Sequence, residues 1–132
     1  MQHKGSYRTQ HPMPMSPRLS IYRWHFPMIA SIAHRGSGVV LAMFILFYLW
    51  VLHGLTGTPE NFDQAVALLH STFGRLMLWM AAVAVVYHFF NGVRFLALDA
   101  GWFESKQMMR LTARIVLLIA LLAAPLFGWL LL

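Results

Sequence analysis

Leu76-Met77-Leu78-Trp79-Met80-Ala81-Ala82-Val83-Ala84-Val85-Val86-Tyr87-His88-Phe89-Phe90-Asn91-Gly92-Val93 contains no Asp, Glu, Lys or Arg. The hydrocarbon core of a bilayer is about 30 Å thick and takes roughly 20 apolar residues as helix. Gly36 to Pro59 and Ile115 to Leu132 are equally free of these charges. The chain has 132 residues, 59% of them hydrophobic and only 11% charged, too few charges to clothe a soluble surface. The sequence therefore predicts an all-α membrane protein with three transmembrane helices, at about 28–53, 70–99 and 108–132. Residues 1–27 are expected to form a polar N-terminal segment with an interfacial stretch. Three spans and their connections leave no room for a soluble catalytic domain.

Composition excludes several chemistries. The chain has no cysteine, which removes cysteine-ligated iron–sulfur clusters, c-type haem attachment and disulfides. It has no glycine-rich phosphate loop and no dinucleotide fingerprint. The formal charge of +6 would suggest nucleic acid in a soluble protein. Here the basic residues fit the cytoplasmic ends of helices instead, and no nucleic-acid partner is expected.

Lys4, Arg8, Arg18 and Arg23 precede the first span, and no apolar run precedes residue 28 to serve as a secretory signal. Trp24 and Phe26, interleaved with Arg23 and His25, suit the headgroup layer. Glu60 and Asp63 follow the first span, with Arg75 nearby; Lys106, Arg110 and Arg114, against Glu104, follow the second. This bias puts the N-terminus and the second loop in the cytoplasm. Gly54, Gly57 and Pro59 predict a turn after the first helix.

Polar residues within the spans carry the functional signal. Ser31 and Arg35 are four apart on the first helix and share a face, with His34 beside them. An arginine in a membrane costs about 2.5–3.5 kcal/mol even on the lenient insertion scale. Snorkelling toward the headgroups would relieve part of that cost. Alternatively, a hydroxyl and a guanidinium on one face can hydrogen-bond a ligand oxygen, such as a quinone carbonyl or a carboxylate. Gly36 and Gly38 would let a neighbour approach closely.

In the second helix His88 falls near the bilayer centre, followed by Asn91, Gly92, Phe95 and Asp99 on one face. An unpaired imidazole is expensive there. Haem ligation, an inter-helix hydrogen bond and proton transfer all account for it, and Gly92 would leave space for a flat macrocycle. His34 lies about six residues into its helix and His88 about eleven from the same side. That offset of about 7 Å at helical rise disfavours a bis-histidine site within the chain. His53 and His70 lie too near the outer ends. Met28, Met43, Met77 and Met80 read as core packing, and the third helix as a lipid-facing support.

Three ordered motifs then carry a resemblance. Ser16-Pro17-Arg18-Leu19-Ser20-Ile21-Tyr22, Ser31-Ile32-Ala33-His34-Arg35-Gly36-Ser37-Gly38 and His88-Phe89-Phe90-Asn91-Gly92-Val93-Arg94 with Asp99 resemble the cytochrome b large membrane-anchor subunit of succinate dehydrogenase, complex II. The resemblance implies one part of a heteromeric haem-binding helical bundle that passes electrons from succinate to ubiquinone. It implies that Ser31 and Arg35, with Trp24 and Ile32, form part of the ubiquinone site. It implies His88 as an axial ligand of haem b iron, with His34 and Arg35 near the haem propionates. It further implies three partners: a small membrane-anchor subunit supplying the second haem ligand, an iron–sulfur subunit and a flavoprotein subunit that oxidises succinate. The family pattern has histidine where Arg18 and Phe95 stand here, so no contact is carried over to those two positions. The short N-terminal segment favours a bacterial inner membrane over a mitochondrial one. A quinol:fumarate reductase anchor, a haem-free structural or transport bundle and a homodimeric cytochrome are the alternatives.

Overall fold

The computed structural model describes residues 24–132. The first of the three motifs and the basic residues up to Arg23 lie outside these residues. Four helices follow in order: α1 Phe26–Leu55, α2 Pro59–His70, α3 Thr72–Asp99 and α4 Lys106–Leu131. Helices α1, α3 and α4 are long and apolar enough to cross a membrane. At 1.5 Å per residue, α1 is about 45 Å long, so its ends reach into the headgroup layers or the helix tilts.

The interior follows membrane rather than soluble logic. Ala30, Ala65, Ala81, Ala84, Ala113 and Ala123 are buried, whereas Leu46, Leu96 and Leu121 stand about 70% exposed. Between helices in lipid, small residues let backbones approach, because leucine gains nothing there by leaving a hydrocarbon solvent. Met28, Met43, Met77 and Met80 do not form a core, since none of them is buried. Met43 is 68% and Met80 38% exposed, and with Met77 they line a groove between α1 and α3. Being inside the membrane does not require being inside the protein.

Helix α2 is the element that the sequence did not announce. Its signals are local. Thr58 is the N-cap, with Pro59 in the first turn, and its hydroxyl accepts from the Asn61 N–H at 3.4 Å. Two glycines seat α2 against the spans. A Cβ on Gly54 would come within 2.8 Å of Ala65 Cβ, and one on Gly74 would collide with the Leu68 carbonyl. Ser71 both ends α2 and caps α3, accepting from the Gly74 N–H at 3.1 Å.

Helix α3 ends where Gly101 adopts φ 81°. Trp102 N–H bonds the Ala97 carbonyl and Gly101 N–H the Leu98 carbonyl, a Schellman close that needs the left-handed residue. Helix α4 is capped by Ser105, which accepts from the Met108 N–H at 3.2 Å. It returns against α3, where Trp79 donates to the Ala124 carbonyl at 2.8 Å next to Pro125. Arg114 lies 4.6 Å over the Phe26 ring, tying α4 to the start of α1.

Candidate haem and quinone site

Two polar clusters join α1 to α3. In the first, the Ala30 carbonyl accepts from the Tyr87 hydroxyl at 2.7 Å and from the Asn91 amide at 3.1 Å. A carbonyl has two lone pairs, and this one already serves its own helix. Asn91 is fully buried, which agrees with the cost of leaving such a group unpaired in lipid. Its Oδ1 faces Arg94 Nη1 at 3.5 Å. Arg94, also buried, donates from Nε to Thr112 Oγ1 at 3.0 Å and from Nη2 to the Met109 carbonyl at 3.2 Å. One guanidinium thus reaches α3 and α4 together. Tyr87, Asn91 and Arg94 are structural polar residues, and Asn91 does not share an open face with His88.

The second cluster lies beside the first. The His34 and His88 rings stack with centroids 4.0 Å apart and planes inclined by 13°. Ser37, buried, places its hydroxyl 3.0 Å from His88 Nδ1 and 2.8 Å from the His34 carbonyl. Phe95 meets the His34 ring edge-on at 5.2 Å. A Cβ on Gly38 would sit 3.3 Å from His88 Cε1, so the ring rests directly on the α1 backbone.

This arrangement corrects the expected difference in depth between the two histidines. Helix α1 starts at Phe26, two residues earlier than expected, and Gly38 faces His88 while Gly92 faces His34. The ring centroids are 4.0 Å apart, so the expected offset of about 7 Å does not separate the two imidazoles. As stacked, the two rings do not present nitrogens to opposite sides of one iron. A Cβ on Gly92 would lie 3.6 Å from His34 Nε2, an ordinary contact, so Gly92 sits beside the His34 ring.

His34 Nε2 is buried without a hydrogen-bond partner among the described residues. A polar nitrogen orphaned in a lipid-embedded bundle calls for a group beyond the described residues. Ser31 is half-buried, while Arg35 and Ile32 are exposed on α1. Trp24, 57% exposed, lies just before α1. The structure therefore brings together His34, Ser37 and His88, and leaves Ile32, Arg35 and Trp24 on an open surface with Ser31 partly covered. Asp99 is exposed at the end of α3.

The family described as succinate dehydrogenase/fumarate reductase transmembrane subunit matches residues 9–127. The succinate dehydrogenase cytochrome b556 subunit of Coxiella burnetii is 35% identical over 113 residues, covering 83% of this chain and 90% of its own. The mitochondrial cytochrome b560 subunit of Sus scrofa is 31% identical over 118 residues, covering 84% of this chain and 67% of its own. The cytochrome b556 subunit of Paracoccus denitrificans is 34% identical over 89 residues, covering 67% and 68%.

Proposed function

The chain belongs to the succinate dehydrogenase/fumarate reductase transmembrane-subunit family, and from that premise we propose that it binds haem b with a partner chain and forms part of a ubiquinone-reduction site. As a membrane subunit of a redox complex it would bind and orient, while bound cofactors carry the electrons. The observation that carries the haem reading is the pairing of His88 with His34, whose Nε2 is orphaned. Orphan nitrogen, adjacent imidazole and the family together fit a haem placed against α1 and α3.

In this reading His88 would be a ligand to the haem iron, and the small membrane-anchor subunit would supply another. His34 and Arg35 face the propionates. Haem b, when bound, accepts and releases single electrons. Trp24, Ile32, Ser31 and Arg35 hold the quinone: Ser31 hydrogen-bonds its carbonyl oxygen, and Arg35 stabilises negative charge growing on that oxygen. The exposure of Arg35, Ile32 and Trp24 supports a site completed by partner chains. An iron–sulfur subunit would deliver electrons from a flavoprotein that oxidises succinate. The basic residues support a cytoplasmic N-terminus and α3–α4 loop, and in this reading the complex sits in a bacterial inner membrane.

The test uses the purified complex. Ser31→Ala or Arg35→Ala should abolish quinone reduction while succinate oxidation by an artificial dye continues. Quinone reduction at the original rate in both would remove these residues from the site. His88→Ala should lose or alter the b-type reduced-minus-oxidised spectrum, and an unchanged spectrum would remove His88 as a ligand.

A further inference from the structure

Ser37 has one hydroxyl proton and two close neighbours, the His34 carbonyl at 2.8 Å and His88 Nδ1 at 3.0 Å. A carbonyl oxygen only accepts. If the hydroxyl donates to the carbonyl, its lone pairs face His88, and Nδ1 must carry the proton. If the hydroxyl instead donated to Nδ1, two bare oxygens would face each other at 2.8 Å in a water-free interior. Only the first arrangement satisfies both contacts at once. It protonates Nδ1 and leaves the lone pair of His88 on Nε2.

We propose that Ser37 is a positioning residue: its hydroxyl, anchored on the His34 carbonyl, locks His88 in the Nδ1-protonated tautomer and so presents Nε2 for axial coordination. The hydrogen bond fixes the edge of the ring, the His34 stack fixes one face, and the Gly38 backbone limits its approach to α1. A ligating histidine whose other nitrogen is hydrogen-bonded is oriented and made a better donor, an effect worth about 10–100-fold in metal affinity. An ordinary packing serine would need only the bond to its own helix. The bond across to α3 is what makes Ser37 a partner of His88. The proposal rests on the reading of His88 as a haem ligand.

The experiment compares Ser37→Ala, Ser37→Thr and His88→Ala in the intact complex, by haem-to-protein ratio, haem redox titration and low-temperature electron paramagnetic resonance of the oxidised haem. Ser37→Ala should weaken haem retention about 10–100-fold and shift the resonance positions, which report the hydrogen bonding and orientation of the axial imidazole. Ser37→Thr, which keeps the hydroxyl, should restore both. Should the alanine variant not assemble, Ser37→Cys keeps the side chain's size while weakening the acceptor, and the same shifts are expected of it. Wild-type haem content, potential and resonance in Ser37→Ala overturn the proposal, as does a threonine variant that behaves like alanine. If His88→Ala also retains its normal spectrum, the ligand reading itself fails. If only His88→Ala loses the haem, the ligand stands and the role of Ser37 falls.

Discussion

The imidazoles of His34 on α1 and His88 on α3 lie face to face, 4.0 Å between centroids and 13° from parallel. A flat stack resists rotation of either ring about its side-chain bonds, so His34 acts on His88 through shape as well as through any polar contact. Aromatic pairs of this kind contribute about 0.5–1.5 kcal/mol beyond area burial. His34→Phe keeps a flat partner and His34→Ala removes it. Both lose Nε2, so their difference isolates the stack. Haem retention in the alanine variant is expected to fall about two- to tenfold below that of the phenylalanine variant, measured by the reduced-minus-oxidised spectrum per unit of complex.

Arg94 joins Asn91 on its own helix to Thr112 and Met109 on α4. A guanidinium addresses these separate acceptors through a rigid fork, and an ammonium cannot. Arg94→Lys is therefore expected to lower the thermal unfolding temperature of the detergent-solubilised complex almost as much as Arg94→Ala. Asn91→Leu leaves the Arg94 guanidinium short of an acceptor and should cost about 1–3 kcal/mol. Full stability in Arg94→Lys would show that charge alone suffices there.

Glycine substitutions separate crowded from open backbone. Gly74→Ala drives a methyl into the Leu68 carbonyl, whereas a Cβ on Gly36 meets nothing among the described residues within 4 Å. The first should destabilise by about 1–3 kcal/mol through displacement of α2. The second should stay within about 0.5 kcal/mol. Thermal unfolding of the two variants side by side checks the pair, and equal effects would contradict the packing of the α2–α3 corner.

Glu60 sits in the first turn of α2. Hydrogen bonding from its own backbone N–H, and next from the Thr58 hydroxyl, holds its carboxyl below the usual glutamate range. A lowered value means that the charged form is favoured in the folded helix. The stabilisation is then fully present above the ordinary glutamate value of about 4.3 and is lost as pH falls through the lowered one. Amide exchange at the start of α2, corrected for intrinsic rates, should rise over that acidic window. Glu60→Gln should remove the dependence.

Much of this protein could be read along the chain. A run such as Leu76 to Val93 leaves a backbone in lipid no option but helix, because every N–H and C=O must be satisfied within the segment. His88, Ser31 and Arg35 announce themselves for a related reason: polar groups are costly where water is absent. Helix α2 was harder to see because it is short and amphipathic, although Thr58-Pro59 and the spacing of Ala65, Leu68 and Leu69 signal it in retrospect. Its existence depends on Gly54 and Gly74 admitting it against α1 and α3.

The sequence by itself determined the spans, their chemistry and the family, since these depend on local composition and ordered motifs. Only the tertiary structure decided which polar residues meet. A helix displays its residues around a full circle, and the turn that faces a neighbour is fixed by how small residues let two backbones approach. That fit turned Tyr87 and Asn91 onto the Ala30 carbonyl, sent Arg94 to α4, laid His34 on His88, and brought Ser37, a residue unassigned in its motif, to Nδ1 of that histidine.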